Sequence, residues 1–123
     1  MTRADVDAYV SAWIDAWNRR DIEAVVEHFD DDVTFTSPVA ATVTGNATVR
    51  GKDAIRAYWQ AALARTTKLV FTLDRAIWDP ERRELAILYE RDADGKRSRV
   101  CEMLAFDAAG RVVRVEVMHG VEA

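Results

Sequence analysis

The sequence predicts an α+β fold in which three N-terminal helices pack on a mostly antiparallel sheet. Three observations carry this expectation. Apolar residues recur with a helical period in the first third of the chain and again around residue 55, and from Lys68 onward the period changes to two. Two tight turn signals, Asp94-Gly95 and Asp107-Ala108-Ala109-Gly110, then divide the second half into hairpins. The whole chain, 1–123, is expected to form one domain, because domains commonly run to about 100–150 residues.

Val6, Tyr9, Val10, Trp13, Ile14 and Trp17 fall at offsets 0, 3, 4, 7, 8 and 11, one stripe of a first helix. Asn18-Arg19-Arg20 breaks it, and Asp21 is a good N-cap for a short second helix carrying Ile22, Val25, Val26 and Phe29 on one side. Asp30-Asp31-Asp32 reads as the solvated end of that helix. Val33 to Ser37 alternates like a strand until Pro38 stops it. Residues 39–50 are irregular and read as a long loop or flap. Gly51-Lys52-Asp53 opens a third helix to about Arg65, with Ile55, Tyr58, Trp59, Ala62 and Leu63 as its apolar side. Strands follow at 68–78, 84–91, 98–106 and 111–119. The Asp94-Gly95 turn pairs Arg91 with Ser98, Tyr89 with Val100 and Ile87 with Glu102. The second turn is read as setting Phe106 opposite Arg111, Leu104 opposite Val113, Glu102 opposite Val115, Val100 opposite Val117 and Ser98 opposite His119.

Lys plus Arg number 17 and Asp plus Glu 21, a net charge of −4, with no basic cluster, so nucleic acid is not an expected partner. No apolar run approaches the ~20 residues of a membrane span, so no membrane partner is expected. The lone Cys101 excludes an internal disulfide, and two distant histidines supply no metal pattern. The opening residues MTRADVDAYV lack an apolar signal core, and the expected location is cytoplasmic. No dinucleotide, Walker or nucleophile-elbow motif occurs, and no cofactor is expected.

On the face shared by the last three strands lie Leu85, Ile87, Tyr89, Val100, Leu104, Phe106, Val113, Val115 and Val117. Two ionisable residues interrupt it, Glu102 in mid-strand and His119 near the end. A carboxylate among apolar neighbours costs several kcal/mol unless paired or protonated, and the usual response is a raised pKa, which suits a general acid or base. The competing readings are that Arg75 or Arg99 neutralises Glu102, or that the register is off by one and it faces water. Tyr89, diagonal to Glu102 across the hairpin, is the best placed to touch it. In the assumed register Glu102 and His119 stand roughly 13 Å apart at about 3.3 Å per residue, flanking opposite ends of a ligand. The helix aromatics Trp13, Trp17, Tyr58 and Trp59 pack on the sheet and line part of a cavity, and Phe35 and Ser37 share the inward parity of the first strand. His28 reads as surface. Cys101 lies on the opposite face from Glu102, which argues against it as a nucleophile.

The stretches AWNRRDIEAVVEHFDDDVTFTSP, VRGKDAIRAYW and FDAAGRVVRVEVMHG, with the order of elements around them, resemble the nuclear transport factor 2-like superfamily, and most of all its SnoaL-like branch. The resemblance runs from about Val6 to Gly120. It implies a cone-shaped fold with a strongly curved sheet and a pocket at its open end. Relatives include polyketide cyclases, ketosteroid isomerases and limonene-epoxide hydrolases. Carried over by position, the isomerase's oxyanion tyrosine falls at Trp13, its general base at Ser37 and its protonated oxyanion acid at Glu102, so only the last keeps its chemistry. The epoxide hydrolase Asp–Arg–Asp set is not reproduced, and Arg114 and Glu116 lie on the outer parity. The cyclases' carboxylate and histidine on neighbouring late strands correspond in type to Glu102 and His119, with their strands exchanged.

These features lead to an expected cofactor-independent enzyme of the isomerase or cyclase type, doing acid/base chemistry on a small hydrophobic, carbonyl-bearing molecule. The expected catalytic residues are Glu102 and His119, and the expected pocket wall is Trp13, Trp17, Phe35, Ser37, Tyr58, Trp59, Tyr89, Val100, Leu104, Val115 and Val117. The alternatives are a non-catalytic binder of a small hydrophobic ligand and a dimeric accessory domain. The outer parity of the last strands carries Ala86, Leu88, Cys101, Met103, Ala105, Val112 and Met118, and a homodimer through this face is expected.

Overall fold

The computed structural model describes residues 1–122, the last by its backbone alone. Helix α1 (Arg3–Asn18) starts at a reciprocal cap, Thr2 accepting from the Asp5 N–H while the Asp5 carboxylate accepts from the Thr2 N–H. It buries Val6, Val10, Trp13, Ala16 and Trp17. Arg20 takes a left-handed conformation (φ 59°), and its guanidinium donates to the carbonyls of Leu63, Thr66 and Thr67. One side chain thereby closes the C-terminus of α4 (Lys52–Ala64).

Helix α2 (Ile22–Val26), capped by Asp21, is shorter than its apolar pattern predicts. Strand β1 (Phe29–Thr36) begins four residues earlier than expected, so Asp30-Asp31-Asp32 lies within a strand and is not a helix end. The pull is long-range, since Phe29 and Phe35 align in parallel with Val112 and Val115 of β6 (Val112–Glu122). Residues 39–50 are not a loop. They contribute α3 (Pro38–Thr44), capped by Ser37 with Pro38 in its first turn and closed by Gly45 at φ 82°, and then β2 (Thr48–Arg50).

The sheet has the order β2-β1-β6-β5-β4-β3, with β3 (Leu69–Asp79), β4 (Glu84–Ala93) and β5 (Lys96–Phe106) completing an antiparallel meander. All pairs but β1 with β6 are antiparallel. Asp94 and Gly95 have φ 54° and 88°, the two left-handed positions a tight hairpin requires, and the β4–β5 register matches the expected one.

The β5–β6 register does not. Phe106 pairs with Val112, because the turn closes one residue later, with Asp107 accepting from the Ala109 and Arg111 N–H groups. Ala105 then pairs with Arg114, leaving Val113 as a bulge. Two one-residue shifts restore the parity of Val115, Val117 and His119 but move them two places along β5. Val112 becomes fully buried, while Val113 is only half-buried, so Val112 leaves the outer face and takes the inner place expected for Val113. Among the described residues no helix is long and apolar enough to cross a membrane.

Candidate functional site

The register change decides the geometry of the site. Tyr89, Val100 and His119 form one row across β4, β5 and β6, and Ile87, Glu102 and Val117 form the next. Glu102 is therefore diagonal to both Tyr89 and His119, a spacing of about 7–8 Å between backbone positions, far shorter than the separation read from the sequence. Glu102 is 5% exposed, and its Oε1 accepts from the Tyr89 hydroxyl at 2.9 Å. No basic side chain among the described residues pairs with it. Arg99 binds Asp74 at 2.7 Å on the outer face, and Arg75 shares that face, opposite Leu88.

Burial pushes the Glu102 carboxyl from 4.5 up to about 7, against the smaller opposing effect of the Tyr89 hydrogen bond. Burial, reinforced by Glu102 itself, holds the Tyr89 phenol well above its ordinary value, so Tyr89 is a donor and not an anion. His119 is half-buried, and burial together with the charge of Arg91 holds it below 6.5. Near neutral pH the two adjacent rows thus offer a carboxyl that can give or take a proton and, diagonal to it, an imidazole that is predominantly neutral.

These groups line one cleft between α1, α3, α4 and the inner face of the sheet. Of the residues expected there, the cleft brings together Trp17, Phe35, Ser37, Tyr58, Trp59, Tyr89, Glu102, Val117 and His119. It does not include Trp13, Val100, Leu104 or Val115, which are buried in the core (1–3% exposed). Trp13 instead supports the site from behind, its ring 5.4 Å from Tyr89 and 5.8 Å from Phe71. The Ser37 hydroxyl accepts from the Val39 N–H, as the cap of α3. His28 is exposed, as read.

Sequence reasoning placed the segment beginning at Val39 over the pocket but missed Phe71 and Arg91 in the cleft wall. Arg91 had a readable signal, because it shares the parity of Ile87 and Tyr89 on β4. Phe71 had none, since its place opposite Arg91 depends on the β3 register, broken by a bulge between Leu73 and Arg75. The Trp17 indole N–H is buried in the cleft wall without an acceptor among the described residues, a donor whose isolation costs about 1–3 kcal/mol. No group of three or more histidine, cysteine or carboxylate side chains among the described residues is arranged to hold a metal ion.

Comparison with known proteins agrees with this architecture. The family model of the SnoaL-like domain matches residues 10–115. A SnoaL-like protein of unknown function from Burkholderia thailandensis E264 superposes with a TM-score of 0.86 at 29% identity, covering 98% of each chain. A putative polyketide cyclase from Sinorhizobium meliloti gives 0.74 at 19% identity, over 96% of this chain and all of the other (100%). A steroid delta-isomerase from Pseudomonas aeruginosa gives 0.72 at 20% identity, over 96% of this chain and 81% of the other. The last two likenesses establish the fold alone. No protein of curated function matches the chain significantly.

Proposed function

The chain belongs to the SnoaL-like domain family, and on that premise we propose that its cleft is the active site of a cofactor-independent enzyme of the isomerase or cyclase type, moving protons on a small hydrophobic, carbonyl-bearing molecule. The observation that carries the reading is the buried Glu102 carboxyl, hydrogen-bonded to Tyr89 and poised near neutral pH. In its neutral form Glu102 donates a hydrogen bond to the substrate carbonyl as negative charge develops on that oxygen. His119, diagonal to it, takes the proton from the adjacent carbon and returns it at the new position. Ser37 is not a substitute base, because an alcohol oxygen is too weakly basic to take a proton from carbon, and its hydroxyl serves instead as the cap of α3. The descriptions of two fold neighbours as a cyclase and a steroid isomerase are in keeping with this class of reaction.

The test needs no identified substrate. Following the Glu102 side-chain carbonyl by carbon NMR through a pH titration should give a midpoint near 7, and a panel of enolisable aryl ketones in heavy water should exchange α-hydrogens in a protein-dependent manner. A Glu102 midpoint below about 5, the ordinary carboxylate range, would falsify the assignment.

The outer face of the sheet supports a homodimer. Ile77, Leu88, Cys101, Met103 and Met118 form an apolar strip there, while the charged residues around it pair among themselves, as Arg97 with Glu90, Arg99 with Asp74 and Arg114 with Glu84. Met118 and Ile77 are 44% and 54% exposed in the single chain, a surface that a two-fold contact would cover. Light scattering at micromolar concentration should return about twice 13.9 kDa, and a monomer mass would overturn the dimer.

A further inference from the structure

One charged group in the cleft is left over by the proton-transfer chemistry. Arg91 stands on β4 two residues beyond Tyr89 with the same inward parity, facing Phe71 on β3 and Ser98 on β5. The arginines on β5 are paired, Arg97 with Glu90 and Arg99 with Asp74, whereas no carboxylate among the described residues lies within salt-bridge distance of Arg91. It lines the same cleft as Tyr58, Tyr89 and His119, on each of which its charge acts. A half-buried cation in a cleft with no counter-charge among the described residues asks for an anionic oxygen on a ligand.

We propose that the cleft selects a singly charged organic acid, an apolar molecule whose carboxylate pairs with Arg91. The proposal rests on the reading of the cleft as a small-molecule site and names the substrate class. The apolar body follows from the walls, where Trp17, Phe35, Tyr58, Trp59 and Phe71 line the cleft. A single charge follows from the count of cations. Arg91 is the one arginine or lysine lining the cleft among the described residues, and His119 favours its neutral form. A phosphate dianion needs a second cation, while one planar guanidinium matches one carboxylate with two parallel hydrogen bonds.

Calorimetric titration of the full chain with benzoate, trans-cinnamate and 2-naphthoate, each against its neutral primary amide, tests this. At least one acid should bind tenfold or more tighter than its amide. Arg91→Met should remove that preference by weakening the acid at least tenfold while leaving the amide within about twofold. Arg91→Lys, which keeps the charge without the fork, should retain part of it. Circular dichroism melting of each variant checks that it is folded. The proposal is overturned if no acid binds, if the amides bind as tightly as the acids, or if Arg91→Met leaves the preference intact. Titrating Glu102 in the wild-type chain alongside this series separates the two readings. Acid preference retained while Glu102 titrates as an ordinary carboxylate condemns the proton chemistry alone, whereas lost preference with Glu102 titrating near 7 condemns the ligand class alone.

Discussion

Replacing Glu102 by Gln is expected to lower proton-transfer activity by roughly 10²-fold or more and to abolish most of the pH dependence of stability between about pH 5 and 8. In the wild type the folded-state pKa is raised from 4.5 to about 7. The folded protein therefore holds this proton more tightly than the unfolded chain. The stabilisation is fully present below pH 4.5 and is lost as the pH rises through 7, a difference of about 3 kcal/mol. For a domain of this size that is a fall in Tm on the order of 10 °C. His119 acts in the opposite direction. Its folded pKa is lowered, so its contribution is lost as the pH falls. Because both proteins contain His119, the difference between their melting curves isolates Glu102. Gln keeps an acceptor for the Tyr89 hydroxyl and removes the ionisation, so the variant should be the more stable protein at pH 8. Parallel pH–Tm curves for the two proteins would show that Glu102 does not carry a raised pKa.

The second large effect belongs to the aromatic wall. Trp59→Ala is expected to cost about 3–5 kcal/mol, a large share of the roughly 5–15 kcal/mol typical of a domain. Trp59 is 4% exposed, and its ring meets three others nearly edge to face: Trp17 at 4.8 Å, Phe35 at 5.3 Å and Phe29 at 5.6 Å. Truncation removes the hub through which α4 holds α1 and β1 around the cleft. Equilibrium urea unfolding should show a much lower midpoint with an unchanged slope. A loss under about 1 kcal/mol would mean that the indole faces open space and contributes only to the cleft wall.

Where neighbours in the chain decide the structure, the sequence was legible. The stripe from Val6 to Trp17 determined α1, and Asp94-Gly95 determined the β4–β5 register, because two left-handed residues permit only one tight turn there. That register put Glu102 on the inner face, and alternation alone marked it as a carboxyl in an apolar row. Helix α3 was also written locally, in Ser37, Pro38 and Gly45, but its β-branched residues have poor helix propensity and masked the caps.

What only the tertiary structure decided lies where distant segments meet. Strand β1 extends back through three aspartates because β6 lies alongside it, a pairing that no local period encodes. The bulge at Val113 exchanges the roles of Val112 and Val113 and brings His119 from opposite Ser98 to opposite Val100, diagonal to Glu102. The core chooses that register, because the buried Val112 aligns with Phe29 while Val115 aligns with Phe35, both on β1. Alternation fixes which side of a strand a residue faces, through the pleat of the backbone itself. How far along its neighbour it sits is settled by packing against residues far away in sequence, and the distance between the two candidate catalytic groups depends on that second quantity.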